Sequence, residues 1–396
     1  MKINLSRRGF NTGLLKPALL AAASSIPIRS YAAWDWLALE KQNSKEIWLS
    51  AQGRSQNEYA LGWIEADVNT NNFALSNFRG HGLAQNPVKP EHVIMFSRRP
   101  GTQGIRLNLS TKQVDGHFNS AIDRHMHGHG CFSADGKLLY CTESEINNSQ
   151  GKASGQGKIT VRDAETLELL NEFDSHGIGP HEIALMPDGF TLVIANGGLL
   201  THPDSGRKVL NLDSMRSSLS YIDSRNGNLI SEHTLAEKKA SIRHLDVAQD
   251  GTVAIALQVQ RQAMDNNELT PLAAVHKQGQ PIKMLQAPEA LTTKLNDYMG
   301  SVVIHNQKRL AAFTSPKGDL VMFWHLDDLS LQGYHAFHDV CGLTLSQDNK
   351  YFVLSNSAGK IRQINATSLK LEREKSLSFS QTSWDNHMIS VSLSNS

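Results

Sequence analysis

The feature that most constrains this fold is a repeated pair of short apolar strands joined by an Asp-Gly turn. It reads CFSADGKLLY at residues 131–140, ALMPDGFTLVI at 184–194 and DVAQDGTVAI at 246–255, with a looser copy, LSQDNKYFV, at 345–353. Glycine tolerates the positive φ that a tight hairpin turn needs, so Asp-Gly between alternating apolar residues predicts a β-hairpin. Each copy therefore predicts two adjacent antiparallel strands.

The copies recur along the chain at a roughly constant spacing. Including two weaker copies, they start near residues 81, 129, 182, 244, 300 and 342, about 42–62 residues apart. Further apolar segments follow each hairpin, so a unit holds four strands, which is typical of a β-propeller blade. The first unit, within residues 47–78, lacks an inner strand, and residues 387–392 can supply it.

The sequence therefore predicts an all-β fold, a seven-bladed β-propeller of four-stranded antiparallel blades whose ring is closed by the C-terminal strand. Ring closure removes the exposed sheet edges that favour aggregation. The alternative is a pair of two-sheet sandwiches, which would not require such regular spacing.

The first 33 residues have the layout of an export signal. SRRGFN at residues 6–11 precedes an apolar stretch at 14–26 and small residues at 30–33. The paired arginines resemble a twin-arginine signal, which predicts export to the periplasm. We therefore expect a signal peptide at 1–33 and a single propeller domain at 34–396. An ordinary secretory signal and an uncleaved membrane anchor remain alternatives.

Composition excludes several functional classes. Residues 1–33 hold five of the 39 Lys and Arg residues and no acid, so the rest of the chain is slightly acidic, which argues against nucleic-acid binding. No apolar run after residue 26 is long enough to span a bilayer. There is no nucleophile elbow, phosphate loop, His-Glu-x-x-His or Cys-x-x-Cys-His motif, so we expect neither a nucleotide nor c-type haem. We expect a monomer, and an envelope protein as any partner.

Seventeen histidines are present, and several share one position in the repeat. His81, His129 and His244 begin inner strands, His181 stands beside the equivalent Glu182, and His387 begins the closing strand. Inner strands start at one rim of a propeller's central channel, so these side chains should converge. The set of predicted metal ligands is His81, His127, His129, His181, His244, His338 and His387.

Converging imidazoles suit copper, zinc, iron or nickel. The alternative is that they only form hydrogen bonds to neighbouring strands in a polar channel. The histidines outside this register are expected at the surface or in loops: His92, His117, His176, His202, His233, His276, His305 and His335.

Other polar residues follow strands near the same rim. Arg98, Arg99 and Arg207 are predicted to bind an anionic group, although arginines in such loops are often simply solvated. If the protein is an enzyme, the acid–base candidates are Glu143, Glu182 and Asp339. The cysteines do not indicate a disulfide, because Cys131 should oppose Tyr140 across its hairpin, which leaves Cys141 on the other face.

Four segments carry a resemblance to a known family: RPGT at 99–102, GHGCFSADG at 128–136, GIGPHE at 177–182 and ANGG at 195–198 continuing to Arg207. They resemble the exported bacterial family called domain of unknown function 1513, related to seven-bladed YVTN and quinoprotein-dehydrogenase-like propellers. The resemblance covers nearly all of the chain after the signal. Its members look like neighbours of imelysin-type periplasmic proteins, which implies iron.

A more distant resemblance is to nitrous oxide reductase, which holds copper on propeller histidines. This chain lacks that enzyme's second, cupredoxin domain, so only the geometric idea carries over. Three functions remain open: a non-catalytic protein that binds a metal or a metal-bearing ligand and serves iron acquisition, a metal-dependent oxidoreductase or lactonase-like hydrolase, and a scaffold for a protein partner.

Overall fold

The computed structural model describes residues 44–55, 58–66, 69–206, 208–266 and 268–394. These residues form seven four-stranded antiparallel sheets, and the innermost strand of each sheet contacts the innermost strands of the next blades around a ring. The predicted seven-bladed propeller is confirmed. The predicted signal peptide at 1–33 and the proposed domain start at residue 34 lie outside the described residues.

Each blade runs from an inner strand at the channel to an outer strand at the surface. From inner to outer, the first blade contains β28 (Ser383–Ser394), β1 (Ser44–Ser55), β2 (Glu58–Glu65) and β3 (Thr70–Ser76), and the second contains β4 (Gly80–Gln85), β5 (His92–Ser97), β6 (Gln103–Asn108) and β7 (Gln113–Asn119). The third blade contains β8 (Arg124–Phe132), β9 (Leu138–Glu145), β10 (Gln156–Asp163) and β11 (Leu169–Ile178). The fourth contains β12 (Pro180–Leu185), β13 (Thr191–Asn196), β14 (Ser218–Asp223) and β15 (Leu229–Thr234).

The remaining three blades follow the same order in sequence. They contain β16 (Ala240–Val247), β17 (Val253–Val259), β18 (Ala273–His276) and β19 (Lys283–Leu285); β20 (Val302–His305), β21 (Leu310–Ser315), β22 (Leu320–His325) and β23 (Leu331–Ala336); and β24 (Val340–Leu345), β25 (Tyr351–Asn356), β26 (Lys360–Asn365) and β27 (Leu377–Ser378). A short helix, α1 (Glu289–Lys294), precedes β20. No helix in the described part of the chain is long and apolar enough to cross a membrane.

The Asp-Gly turns join the first two strands of their blades, as the sequence predicts. At the first of them, Gly136 has φ 67° and its N–H donates to the Ser133 carbonyl over 2.9 Å. The Asp135 carboxylate accepts hydrogen bonds from the Ser133 hydroxyl and the Lys137 N–H, which closes the turn from the side-chain side. Cys131 pairs opposite Tyr140, also as predicted.

The C-terminal strand closes the ring. β28 pairs antiparallel with β1, from Ser44 opposite Ser394 to Gly53 opposite Ser383. The first and last parts of the described chain therefore share one blade, and the closing strand supplies His387 at its inner edge, where the sequence places it.

Apolar side chains fill the spaces between neighbouring blades rather than the axis. The largest cluster joins three consecutive blades and includes Ile255, Phe313 and Trp324, all essentially inaccessible to solvent. Burying a side chain such as Phe313 contributes about 1.5–3 kcal/mol. The indole N–H of Trp324 donates to the Gln286 carbonyl over 2.9 Å, so this buried polar group is satisfied. The axis is left to polar side chains.

Candidate metal centre

Four histidines from four consecutive blades meet at the centre of the ring. His81, His129, His181 and His244 are buried, and one ring nitrogen from each lies within 4.8 Å of the others. We call these four residues the axial cluster. His387 lies beside it, with its ring centroid 4.5 Å from that of His244 and 4.6 Å from that of His81. The predicted convergence therefore holds for these five residues.

Irregular pairing at the start of each inner strand turns these histidines toward the axis. The register shifts between Gly80 and Leu83 in β4, between Met126 and Gly130 in β8, and between Pro180 and Glu182 in β12. The same irregularity occurs before His244 in β16 and at His387 in β28. A β-bulge bends the strand and changes the direction of a side chain, so each histidine leaves the sheet plane for the channel.

Two glycines make room for the close approach of the rings. A Cβ at Gly82 would lie 2.5 Å from the Gly128 carbonyl oxygen and 2.7 Å from Nδ1 of His129. Gly128 has φ 98°, and a Cβ there would lie 2.8 Å from the ring of His81. Gly82, which follows His81, and Gly128, which precedes His129, are therefore required for the close packing of the cluster.

A carboxylate orients two of the rings. Glu182 accepts a hydrogen bond from Nδ1 of His244 over 2.9 Å and lies 3.3 Å from Nδ1 of His129. Both Nε2 atoms are thereby left for another partner, which is the usual arrangement of a metal-bound histidine. Burial alone would raise the pKa of Glu182, but the imidazoles of His129 and His244 hold it well below its ordinary value. The residue is a carboxylate that positions the rings.

Several ring nitrogens of these five histidines have no hydrogen-bond partner. They are Nδ1 of His81, Nε2 of His129, Nδ1 of His181 and Nε2 of His387, and all are inaccessible to solvent. Nε2 of His181 lies 3.3 Å from Nε2 of His244. Burial lowers the pKa of His81 and His181 well below that of a free imidazole, and it lowers the pKa of His244 to about 4. These rings are neutral at physiological pH and keep unused lone pairs.

His338 does not join the cluster, so that part of the predicted convergence is wrong. Its side chain is 79% exposed and pairs with Asp319, 3.2 Å away. The reason is its position: it precedes β24 by two residues, and the irregular pairing of that strand falls at residues 340–343. The inner strand of this blade therefore presents Cys341 and Gly342 at the place where other blades present histidine.

The other two acid–base candidates lie away from the axial cluster. Glu143 is fully buried in β9, where it accepts hydrogen bonds from the Ala121 N–H and the hydroxyl of Thr160 and lies 3.4 Å from Arg162. Burial raises the pKa of Glu143, although these donors oppose the shift. Asp339 accepts a hydrogen bond from Ser357 and lines a separate cavity.

Two cavities are lined by histidines of the cluster. The first, of about 360 Å³, is lined by His81, His127 and His181 together with cationic side chains including Arg98 and Arg99, and we call it the arginine chamber. The second, of about 560 Å³, is lined by His129, His387, Glu182 and Asp246, and we call it the acidic chamber. Burial raises the pKa of Asp246 to about 6. Arg207 lies outside the described residues.

His127 faces the arginine chamber rather than the cluster. Its Nε2 lies 2.8 Å from the Ser144 hydroxyl, and its ring is 5.0 Å from that of His125. His127 is one of the predicted metal ligands, and it lies outside the group of four histidines whose nitrogens converge.

Sequence reasoning missed the residues that support the rings. The Ser301 hydroxyl lies 3.0 Å from Nδ1 of His387, and Asp385 lies 3.8 Å from Nδ1 of His81 while pairing with Arg79 and Arg98. Asp385 and His387 are two residues apart on one strand, and such residues point to the same face, so the sequence could have predicted that Asp385 lies near the site. Ser301 precedes the inner strand of one of the two blades that lack an axial histidine, and only the ring geometry brings it to the site.

The predicted positions of the remaining histidines need one correction. His92, His276 and His305 are buried in strands β5, β18 and β20 rather than exposed in loops. The hydroxyl of Tyr221 lies 2.6 Å from Nδ1 of His276, and the Gln280 carbonyl lies 2.8 Å from its Nε2. These histidines belong to the interior of individual blades.

Comparison with known proteins agrees with the fold. The sequence model of the family described as "Protein of unknown function (DUF1513)" matches residues 75–391. Among solved structures, the chain is similar to hydrazine synthase from Kuenenia stuttgartiensis, with a TM-score of 0.57 and 15% identity, over 81% of this chain and 89% of that chain. A likeness at this identity supports the fold alone. No curated protein matches the chain by sequence.

Proposed function

This chain belongs to the DUF1513 family, and we propose that it is a periplasmic propeller protein that binds one transition-metal ion at the axial cluster. The observation that carries the proposal is the convergence of four buried imidazoles, of which His81, His129 and His181 keep a ring nitrogen without a hydrogen-bond partner. A buried polar atom without a partner is costly, and an ion would satisfy several of them at once.

The spacing of the donors is close to that required by one ion. Nitrogen ligands about 2.0–2.1 Å from a single ion lie at most ~4.2 Å from one another. The four nitrogens lie within 4.8 Å of each other, and Nε2 of His181 lies 3.3 Å from Nε2 of His244. Binding of one ion by all four rings therefore requires them to move slightly closer together. Glu182 would then serve as the outer carboxylate that fixes two of the ligands.

Iron or copper is the ion that we propose, since both accept imidazole ligands. The resemblance to neighbours of imelysin-type proteins favours iron and a role in iron acquisition. The twin-arginine pattern at residues 6–11 supports a periplasmic location. Cell fractionation of the wild-type chain and an Arg7→Lys, Arg8→Lys variant tests the location, because only the wild type should reach the periplasm.

A metal-dependent enzyme, either an oxidoreductase or a hydrolase, is the second candidate. It is favoured by the two chambers, each of which is lined by histidines of the cluster and has room for a small molecule. A catalytic metal keeps a coordination position open, whereas a closed site serves storage, transport or structure. Exchange of bulk water onto a bound paramagnetic ion, measured by proton relaxation, separates the two candidates.

The metal itself is tested on the full chain, purified without an affinity tag and measured by elemental mass spectrometry. We expect near-stoichiometric iron or copper in the wild type and in the control His276→Gln, and its loss in His129→Gln and His181→Gln. Circular dichroism confirms that each variant is folded. A wild-type protein that holds no metal and binds no iron, copper or zinc at micromolar concentrations would overturn the proposal.

A further inference from the structure

The arginine chamber contains a buried cation that the described chain leaves without a counterion. Arg243 lies in β16 next to His244, and it is only 8% exposed. No described residue accepts a hydrogen bond from its guanidinium or forms an ion pair with it, and its Nε is inaccessible to solvent. An arginine side chain keeps its positive charge at neutral pH in proteins.

The chain's other buried arginines show what such a residue normally requires. Arg106 donates to Asp115 and to the carbonyls of residues 164 and 165. Arg162 donates to the carbonyls of residues 119 and 167 and lies 3.4 Å from Glu143. Buried charges are paired because the loss of hydration is otherwise uncompensated. Arg243 departs from this rule inside a cavity, which indicates that its partner is a ligand.

The surroundings favour an anion. Arg98, Arg99 and Lys317 line the same chamber, and the described residues that line it include no Asp or Glu. Arg98 pairs with the carboxylate of Asp385 over 2.6 Å. Burial raises the pKa of the Tyr298 hydroxyl, which keeps it available as a hydrogen-bond donor. The chamber is therefore lined by several cationic side chains and neutral hydrogen-bond donors that could bind one anion.

We propose that the arginine chamber binds a small polyanion, a polycarboxylate or a phosphate compound, through the guanidinium of Arg243. The planar fork of a guanidinium matches the two oxygens of a carboxylate or phosphate. A volume of about 360 Å³ suits a small organic molecule rather than a peptide or nucleic acid. His81 and His181 line the same chamber, so the bound anion lies against the axial cluster. The anion site stands on Arg243 and does not require a metal at the cluster.

The experiment uses the full chain in its metal-free form, so that a chelating anion cannot act by removing metal. Citrate and inorganic phosphate are titrated separately by calorimetry, and the melting temperature is followed in parallel. We expect at least one of them to bind and to raise the melting temperature. Arg243→Met should weaken binding about 10- to 100-fold, whereas Arg225→Gln, at an exposed ion pair with Asp223, should leave it unchanged.

Arg243→Met carries a second readout that a purely structural role would not give. Replacement of an unpaired buried charge by an apolar side chain of similar length should leave the ligand-free protein as stable or more stable. A structural arginine would instead lower the melting temperature when replaced. The proposal is overturned if neither anion binds at millimolar concentration, if Arg243→Met binds as tightly as wild type, or if Arg225→Gln loses binding equally.

The two proposals fail separately. His129→Gln should lose the metal and keep anion binding, and Arg243→Met should lose anion binding and keep the metal. Loss of both activities in a folded single variant would contradict the independence of the two sites.

Discussion

The protein contains two kinds of buried histidine, and their hydrogen bonding differs. Inside the blades, His276 and His305 have both ring nitrogens in hydrogen bonds, to residues 221 and 280 and to residues 349 and 308. On the axis, His129 and His181 each keep a buried nitrogen without a partner. Folding accounts for the first kind. The second kind leaves bonding capacity unused, which is expected where a protein must bind something.

An unpaired nitrogen alone does not identify a ligand. His92 is buried in β5 and also keeps Nδ1 without a partner. What separates it from the axial histidines is convergence, because the group of four whose nitrogens approach each other does not include it. Two criteria together therefore distinguish the axial histidines: a ring nitrogen without a hydrogen-bond partner, and ring nitrogens that converge on one point.

The largest difference between the two kinds should appear in stability. His276→Phe leaves the buried Tyr221 hydroxyl without its partner, and a buried unsatisfied group costs about 1–3 kcal/mol. We expect the free energy of unfolding to fall by about 1–3 kcal/mol. His181→Phe in metal-free protein should cost less, since Nδ1 has no partner and Nε2 has only the 3.3 Å contact with His244 to lose. Urea denaturation measures both, and equal losses would remove the distinction.

A smaller effect is expected from the carboxylate that joins two axial rings. Glu182→Gln keeps the shape of the side chain but cannot accept from both His129 and His244 as a carboxylate does. Loss of such an outer partner weakens metal binding about 10- to 100-fold. Competition against a chelator of known affinity measures it. The matched control is Glu145→Gln, at a carboxylate paired with Arg124 and Lys158, and equal weakening there would contradict the assignment.

The smallest effect is expected from mild acid. The pKa of His244 is lowered to about 4 and those of His81 and His181 lie well below 6.5, so protons do not compete for these rings at pH 5.5. Metal affinity should fall less than tenfold between pH 7.5 and 5.5, whereas exposed imidazoles would lose about tenfold each. Metal titration at both pH values checks this. A fall in metal affinity of more than a hundredfold would mean that protons compete with the metal for these rings.

The same lowered pKa values affect folding in a fixed direction. Below pH 6.5 the unfolded chain gains protons on these histidines while the folded chain does not, so the free energy of unfolding falls as the pH approaches 4. This applies to both kinds of buried histidine, because burial also lowers the pKa of His276 to about 4. Acid sensitivity therefore does not separate the two groups, and metal affinity does.

The sequence was sufficient to predict the architecture because the fold is a repeat. Asp-Gly turns mark each hairpin, and their spacing gives the blade count and the inner strands that carry His129, His181 and His244. The sequence was insufficient for His338. This residue was placed at the axis because it lies close to an inner strand, but a side chain turns inward only where the pairing of that strand is irregular, at residues 340–343. Arg243 was missed because its lack of a partner is a property of the folded interior, which no local pattern records.

Closure of the ring by β28 also sets the order in which the centre of the molecule can be completed during biosynthesis. The closing strand pairs with β1, at the other end of the described chain, and it carries His387 to the axis. A nascent chain has the other four axial histidines well before it has this strand, so the five axial histidines cannot meet until β28 has been made. A product that stops short of β28 has neither a closed ring nor a complete set of axial histidines.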